Sequence, residues 1–125
     1  MKDAGFRAHK KLDVWKEAVA LSLEIYRVTK NFPKSETYGL ASQMHRAAVS
    51  VASNIAEGAA RSGKKEFKQF LNISGGSLSE LDTQVEISFK LGYINQADRE
   101  ALDTKMNNIA QMIAGLIKWA KKRET

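Results

Sequence analysis

Apolar residues recur at spacings of three and four along four stretches of the chain, which is the spacing of an amphipathic α-helix. The first stripe consists of Leu12, Trp15, Val19, Ser22, Tyr26 and Thr29. The second consists of Leu40, Met44, Ala47, Val51 and Ile55. The third consists of Phe67, Phe70, Leu71, Ser74, Leu78, Leu81, Val85 and Phe89. The fourth consists of Leu102, Met106, Ile109, Ile113, Leu116 and Ala120. Each stripe predicts one helix whose apolar face lies in a core.

Helix-breaking and helix-capping residues separate the four stripes. Pro33 disfavours helix at the residue before it, and Ser35 is a candidate N-cap for the second helix. Gly58 is a natural end for that helix, and Asn95 or Gln96 opens the last one. The predicted helices span residues 12–31, 36–58, 64–92 and 96–121.

Long helices that are joined by short links pack most simply as antiparallel neighbours. The sequence therefore predicts an all-α fold, an up-down-up-down four-helix bundle that forms a single domain over residues 1–125.

Gly75 and Gly76 lie inside the third helix, where each costs about 1 kcal/mol relative to alanine. We expect another helix to approach the small patch from Ser74 to Ser77 closely, and a local bend is the competing interpretation.

Composition excludes several classes of function. The chain of 125 residues contains no cysteine and two histidines, so we expect no disulfide, no metal site and no cofactor. No apolar run approaches the roughly 20 residues that span a bilayer, and the N-terminus lacks the apolar segment of a secretory signal. We therefore expect a cytoplasmic protein without a membrane partner. A net charge of +6 favours polyanionic partners.

Two features of the sequence resemble parts of an active site, and neither is complete. The segment GAARSGKK, residues 58–65, misses the phosphate-binding pattern G-x-x-x-x-G-K-[ST] only because Lys65 replaces the Ser or Thr. A true phosphate loop follows a β-strand, whereas this segment joins two predicted helices. Glu57 and Glu80 could form an acid/base pair, but no nucleophile or metal set accompanies them. We expect no enzymatic activity.

A row of polar residues follows the second helix beside its apolar stripe. The row consists of Gln43, Arg46, Ser50, Ser53, Asn54, Glu57 and Arg61. A solvated outer face is the plain interpretation. However, this helix is apolar over most of its circumference, so we expect part of it to be buried against another subunit. A similar row on the third helix, Ser77, Glu80 and Gln84, could supply partners for Arg46 or Asn54. The predicted oligomer interface or structural polar row is Arg46, Ser50, Asn54, Glu57 and Glu80.

One long motif carries a resemblance to a known family. The run GLASQMHRAAVSVASNIAEGAAR, residues 39–61, contains the pattern Arg-Ala-x-x-Ser-x-x-x-Asn-Ile-Ala-Glu-Gly, with FPKSETYGL before it and EFKQFLNISGGSLSELDTQ after it. From about Leu12 to Trp119 the chain resembles the bacterial four-helix-bundle family encoded in intervening sequences of 23S ribosomal RNA genes. The resemblance implies a homopentamer and a distant likeness to the accessory protein of diversity-generating retroelements, which engages nucleic acid and a reverse transcriptase. It implies no settled activity.

The predicted topology gathers charge at one end of the bundle, where the N-terminus, the link between the second and third helices and the C-terminus meet. The basic residues there are Lys2, Arg7, Lys10, Lys11, Lys16, Arg61, Lys64, Lys65, Lys68, Lys118, Lys121, Lys122 and Arg123. The acidic residues there are Asp3, Asp13, Glu17, Glu57, Glu66 and Glu124. A ring of subunits with this end on a common face would attract RNA or DNA phosphates. The alternative is that these lysines only solubilise frayed helix ends.

The sequence therefore predicts a non-enzymatic oligomer that binds nucleic acid, structured RNA being the first choice. The predicted contact residues are Lys10, Lys11, Arg61, Lys64, Lys65, Lys68, Lys121, Lys122 and Arg123. Phe6 and Trp119 are candidates to stack on bases, whereas Trp15 and Phe67 have the spacing of core residues. The alternative function is a scaffold that binds another protein. Steep salt dependence distinguishes the two, because nucleic-acid binding releases condensed counterions.

Overall fold

The computed structural model describes residues 6–124, and its regular structure is entirely helical. The α-helices are α1 (Asp13–Thr29), α2 (Leu40–Ala59), α3 (Lys64–Lys90) and α4 (Gln96–Arg123). A 3-10 helix at Ala8–Lys11 precedes α1, and another at Lys34–Glu36 precedes α2. No β-strand occurs within residues 6–124, so the all-α prediction with four helices is confirmed.

Side-chain contacts between helix ends show how the helices are oriented. Four contacts lie at one end of the bundle: Thr29 with His45, Met44 with Ser88, Glu86 with Arg99, and Arg27 with Asp98. Each joins the end of α1 or α3 to the beginning of α2 or α4. Successive helices are therefore antiparallel, and contacts between α1 and α4 close the bundle.

The stripes predicted for α2, α3 and α4 lie in the core. Their fully buried members include Met44, Val51 and Ile55 of α2, Leu71 and Leu81 of α3, and Leu102 and Ile109 of α4. A few members at the margin of each stripe, such as Leu40, Phe70 and Leu116, are only half-buried. The three-and-four spacing therefore identifies the core-facing side of these helices correctly.

The core face of α1 differs from the prediction. The buried residues of this helix are Val14, Ala18, Leu21, Ile25, Val28 and Thr29. The predicted residues Trp15 and Val19 are half-buried, and Tyr26 is 45% exposed. Two adjacent faces of α1 carry apolar residues at helical spacing, and the core takes the mainly aliphatic face, on which the hydroxyl of Thr29 donates to the Ile25 carbonyl oxygen. Tyr26 instead stacks on His45, with 3.9 Å between ring centroids.

The start of α2 also differs from the prediction. The helix begins at Leu40 rather than at 36, and Gly39 occupies the N-cap position that was assigned to Ser35. The Oε1 atom of Glu36 accepts a hydrogen bond from the Leu40 N–H at 3.1 Å, so a carboxylate from the preceding 3-10 helix caps α2. At α4 the expected cap is present, because the Asn95 side chain accepts a hydrogen bond from the Asp98 N–H at 2.8 Å.

Gly58 allows α3 to approach α2 closely and does not terminate the helix. The helix continues to Ala59, and the C-cap Ala60 has right-handed backbone angles. A Cβ atom at Gly58 would lie 2.7 Å from the Cβ of Phe70 and 3.3 Å from the carbonyl oxygen of Phe67.

Added Cβ atoms at Gly75 and Gly76 would meet nothing within 4 Å. The close approach predicted for this patch is confirmed at the flanking serines, since Ser74 donates to the Val51 carbonyl oxygen at 2.8 Å and the Ser77 hydroxyl lies 2.8 Å from that of Ser50, but it does not involve the two glycines themselves.

We expect the Gly58→Ala variant to unfold more easily than the wild type, by about 1–3 kcal/mol, because a rigid backbone and a Cβ atom block the new methyl group. Gly115→Ala is the matched control, since Gly115 also lies inside a helix but an added Cβ there meets nothing within 4 Å. The control should gain up to about 1 kcal/mol from helix propensity alone. Urea unfolding followed by circular dichroism measures both. Equal shifts for the two variants would contradict the close contact.

Candidate nucleic-acid interface

The bundle brings the predicted phosphate-contacting residues together at one end. This basic end is defined by residues 7–16, 59–68 and 116–124, and it lies opposite the end that holds the four contacts described above. The 3-10 helix Ala8–Lys11 contributes Lys10 and Lys11, and the link after α2 contributes Arg61. The remaining predicted contact residues lie at the start of α3 (Lys64, Lys65, Lys68) and at the end of α4 (Lys121, Lys122, Arg123). Lys2 and Asp3, which the sequence also places here, lie outside the described residues.

The segment GAARSGKK has the local structure expected for a link between two helices. It comprises the last turn of α2, a short connection and the first residues of α3, and no strand precedes it within residues 6–124. The α3 N-cap, Gly63, makes no side-chain capping hydrogen bond. The segment therefore lacks the strand that a phosphate loop follows.

Few carboxylates neutralise the cations of the basic end. Arg61 lies 3.5 Å from the carboxylate of Glu57, and Lys68 forms an ion pair with Glu124 at 2.5 Å. In the part of the chain that the structure describes, no carboxylate lies within 4.0 Å of the other predicted contact residues. The pair at Arg61 is largely exposed, and such surface pairs contribute little. The basic end therefore keeps a net positive charge.

Trp119 is the aromatic residue around which two of these cations gather. The Nζ of Lys64 lies 5.0 Å from the centroid of the Trp119 ring, and the Cζ of Arg123 lies 4.9 Å from it. Phe67 meets the same ring edge-on at 6.4 Å. Trp119 remains 37% exposed. Its ring is thus held on one side by the core and remains in reach of solvent and cations.

Beside Trp119 lies an apolar cavity of about 400 Å³. Its walls include Leu12 before α1, Phe67 of α3, and Leu116 and Trp119 of α4. Arg61 and Lys64 are the charged residues among the described ones that line it. The sequence pattern did not reveal this cavity, because its walls come from three stretches that are far apart in the chain. Two residues of its lining, Gly58 and Trp119, are the features of the sequence that could have indicated it.

The other predicted stacking candidates differ in exposure. Phe6 is 77% exposed at the start of the described chain. Trp15 is half-buried and packs edge-on against His9, with 4.8 Å between centroids, and Phe67 is only 8% exposed. The prediction that Trp15 and Phe67 belong to the core is confirmed for Phe67 and holds in part for Trp15.

A second surface, the α2–α3 groove, contains the polar row of α2. The hydroxyls of Ser50 and Ser77 lie 2.8 Å apart, and the Nδ2 of Asn54 donates to the Ser50 carbonyl oxygen at 2.9 Å. Arg46 and Glu80 line a polar groove of about 480 Å³, yet no ion pair joins them in the described structure. The expected partner for Asn54 on α3 is absent here, because Ser50 accepts both of its hydrogen bonds.

The excess apolar surface expected on α2 is mostly buried against other helices of the same chain. Five residues of the set are buried, namely Ala47, Ala48, Val51, Ala52 and Ile55, and Ala56 is half-buried. Val49 is the member of the set that stays largely exposed, at 44%. Because α1 and α3 cover most of this helix, Val49 is the main apolar residue that α2 leaves available to a second subunit.

Exposed apolar residues occur on α3 instead. Ile73, Ile87 and Leu91 are 51%, 45% and 55% exposed, and helical spacing places them on one face with Gly76 and Glu80. One turn beyond Glu80, the buried Oε1 atom of Gln84 has no hydrogen-bond partner in the structure. This α3 face therefore offers exposed apolar area beside a buried amide.

Other kinds of site are not apparent in the described part of the chain. Residues 6–124 contain no cluster of His, Asp and Glu side chains that could hold a metal ion. Their helices include none that is both long and apolar enough to cross a membrane.

Comparison with known proteins agrees with this architecture. A crystal structure of a protein with unknown function from the S23 ribosomal protein family of Bacteroides thetaiotaomicron VPI-5482 is similar, with a TM-score of 0.77 and 19% identity. The alignment covers 84% of this chain and 95% of that chain. No curated protein matches the sequence. The family described as 23S rRNA-intervening sequence protein matches residues 10–115, which include the motif of α2. The chain therefore belongs to the 23S rRNA-intervening sequence protein family.

Proposed function

We propose that this protein is a non-enzymatic, cytoplasmic RNA-binding protein that works as a homo-oligomer and contacts RNA through its basic end. The observation that carries the proposal is the convergence of cations from four chain segments on one end of the bundle, most of them without a carboxylate partner. Such a surface favours phosphate, because each neutralised phosphate releases condensed counterions.

Backbone contact accounts for most of the proposed binding. Lys64, Lys65, Lys121, Lys122 and Arg123 are the strongest candidates, since they crowd the start of α3 and the end of α4. Lysine acts as a flexible point charge and carries no base preference by itself. Structured RNA is favoured over DNA because the family takes its name from a ribosomal RNA intervening sequence.

The α3 face supports the oligomeric part of the proposal, for which a pentamer is the expected form. Gly75 and Gly76 weaken α3, and an added Cβ at either position meets nothing within 4 Å in the chain, so close approach of a neighbouring subunit would compensate for them. The exposed Ile73 and Ile87 supply apolar area for such a contact. A closed ring would place several basic ends near one another and strengthen their field.

A protein scaffold is the second candidate function. The observation in its favour is the same α3 face, which would suit a different protein as well as another copy of this chain. The distant likeness to the accessory protein of diversity-generating retroelements stays a prediction. Under the scaffold hypothesis the basic end only keeps the protein soluble.

We expect the triple variant Lys65→Gln, Lys121→Gln, Lys122→Gln to bind a structured RNA more weakly and with a smaller salt dependence. Each lost phosphate contact should reduce the slope of log affinity against log salt by about 0.7–0.9. The matched control replaces Lys30, Lys34 and Lys90, which are exposed at the opposite end, and should retain the wild-type slope. Fluorescence anisotropy over a salt series measures both.

Two outcomes would contradict the RNA proposal. Equal weakening by the two triple variants would mean that net charge, and not the basic end, determines binding. Absence of salt-sensitive binding by the wild type at low ionic strength would leave the scaffold as the better hypothesis.

We expect light scattering coupled to size exclusion to give a mass several times the 13.9 kDa of one chain. Gly76→Leu should reduce that mass while the helical content is unchanged, because an added Cβ there meets nothing within 4 Å in its own chain and the larger side chain would obstruct a neighbour. Gly115→Leu is the control, since it makes the same change at an exposed position of α4. A monomeric wild type at micromolar concentrations would refute the oligomer, and an unaffected Gly76→Leu oligomer would place the interface elsewhere.

A further inference from the structure

The apolar cavity beside Trp119 is not explained by contact with phosphates alone. Lysines that bind a phosphate backbone require only an exposed surface. Here a cavity of about 400 Å³ lies at the centre of the basic end, with a partly exposed indole in its wall. We propose that this cavity receives one unstacked base of the bound RNA, with Trp119 as its stacking platform. This inference rests on the proposed RNA-binding function.

Size and wall chemistry suit a base. The volume falls within the range of about 300–1,000 Å³ that is typical of small-molecule sites. Leu12, Phe67 and Leu116 supply an apolar enclosure, and the Trp119 ring supplies a flat surface. Every base has a π-face, so stacking on an indole tolerates any sequence. The cavity therefore selects for an accessible base without selecting its identity.

The charges at the cavity favour a base that is attached to phosphates. Arg61 and Lys64 are the charged side chains in the lining, and Arg123 lies over the same indole. The Nζ atom of Lys64 lies over the ring, 5.0 Å from its centroid. A base that stacks on Trp119 displaces such a cation from the ring, and the flanking phosphates offer it a new partner. Base insertion and phosphate contact are therefore coupled at Lys64.

The class of RNA follows from this arrangement. Bases inside a duplex are paired and stacked, so they do not reach a cavity of this kind. Loops, bulges and single-stranded ends expose bases that are free to leave the strand. A cavity that receives a base therefore gives the protein a preference for unpaired nucleotides within structured RNA. Cations alone would not produce this preference.

A base-bearing RNA of 12 nucleotides and an abasic strand of the same length and charge provide the first test. We expect the wild type to bind the base-bearing strand about 10-fold or more tightly, in keeping with the usual contribution of one stacked base. Trp119→Leu should bind both strands alike and keep the wild-type salt slope, and Trp119→Phe should retain part of the preference. Thermal melting by circular dichroism checks that the variants are folded.

Lys64→Gln and Lys65→Gln form a matched pair, because they remove the same charge from adjacent positions. Lys64 lies over the Trp119 ring and lines the cavity, whereas Lys65 does neither. Lys65→Gln should weaken binding of the two strands equally. Lys64→Gln should weaken the base-bearing strand more, since an inserted base releases Lys64 from the indole ring and so strengthens its phosphate contact. Equal effects of the two substitutions would contradict the coupling.

Fluorescence gives a direct readout of stacking in a Trp15→Phe background, where Trp119 is the remaining tryptophan. We expect the base-bearing strand to quench this fluorescence in a saturable manner and the abasic strand to leave it unchanged. If both strands bind with equal affinity and without quenching, the cavity inference fails while the RNA-binding function stands. If neither strand binds at low ionic strength, both fail. Quenching by dodecanoate but not by RNA would identify an anionic amphiphile as the occupant and overturn the inference.

Discussion

The close contact between α2 and α3 at Gly58 is the constraint on which the basic end depends. Without a side chain there, Phe67 and Phe70 lie directly against the α2 backbone, so a short connection is enough to reverse the chain. Farther along, the Ser74 hydroxyl donates to the Val51 carbonyl oxygen at 2.8 Å and maintains the same pairing inside the core. The position of the first turn of α3, and with it one wall of the cavity, follows from this contact.

The sequence was sufficient to predict the four helices, because three of their apolar stripes are the buried faces. It was insufficient to identify the buried face of α1. Two adjacent faces of that helix have the same apolar spacing, and only packing shows that Leu21 is buried while Trp15 is half-buried. The charge of the basic end follows from topology, since antiparallel helices bring alternate ends together. The cavity does not follow from topology. Its lining residues come from separate segments, and no local sequence pattern determines how far apart those segments lie in the fold. Nor does the spacing of glycines reveal that Gly58, rather than Gly75, meets a neighbouring helix.

The two candidate surfaces occupy different parts of the bundle. The basic end lies at the start of α3, whereas Ile87 and Leu91 lie at the far end of that helix. Assembly through the α3 face would therefore leave the cavity accessible. Because of this separation, the net charge of +6 does not describe how the charged and the apolar surfaces are distributed over the protein. The cations are concentrated where α2, α3 and α4 offer an apolar recess, whereas Ile87 and Leu91 are exposed at the opposite end of the bundle.

The ion pair between Lys68 and Glu124 makes the end of α4 sensitive to what occupies the basic end. It ties the residue that follows the last helical turn to α3, and both side chains are about three-quarters covered. A phosphate that attracts Lys68 competes with Glu124, so that contact contributes less to affinity than a contact with an unpaired lysine would. Release of the carboxylate frees a helix terminus, where local opening requires little free energy. Amide hydrogen exchange near Arg123 would thus report on ligand binding even though the exchanging amides need not touch the ligand.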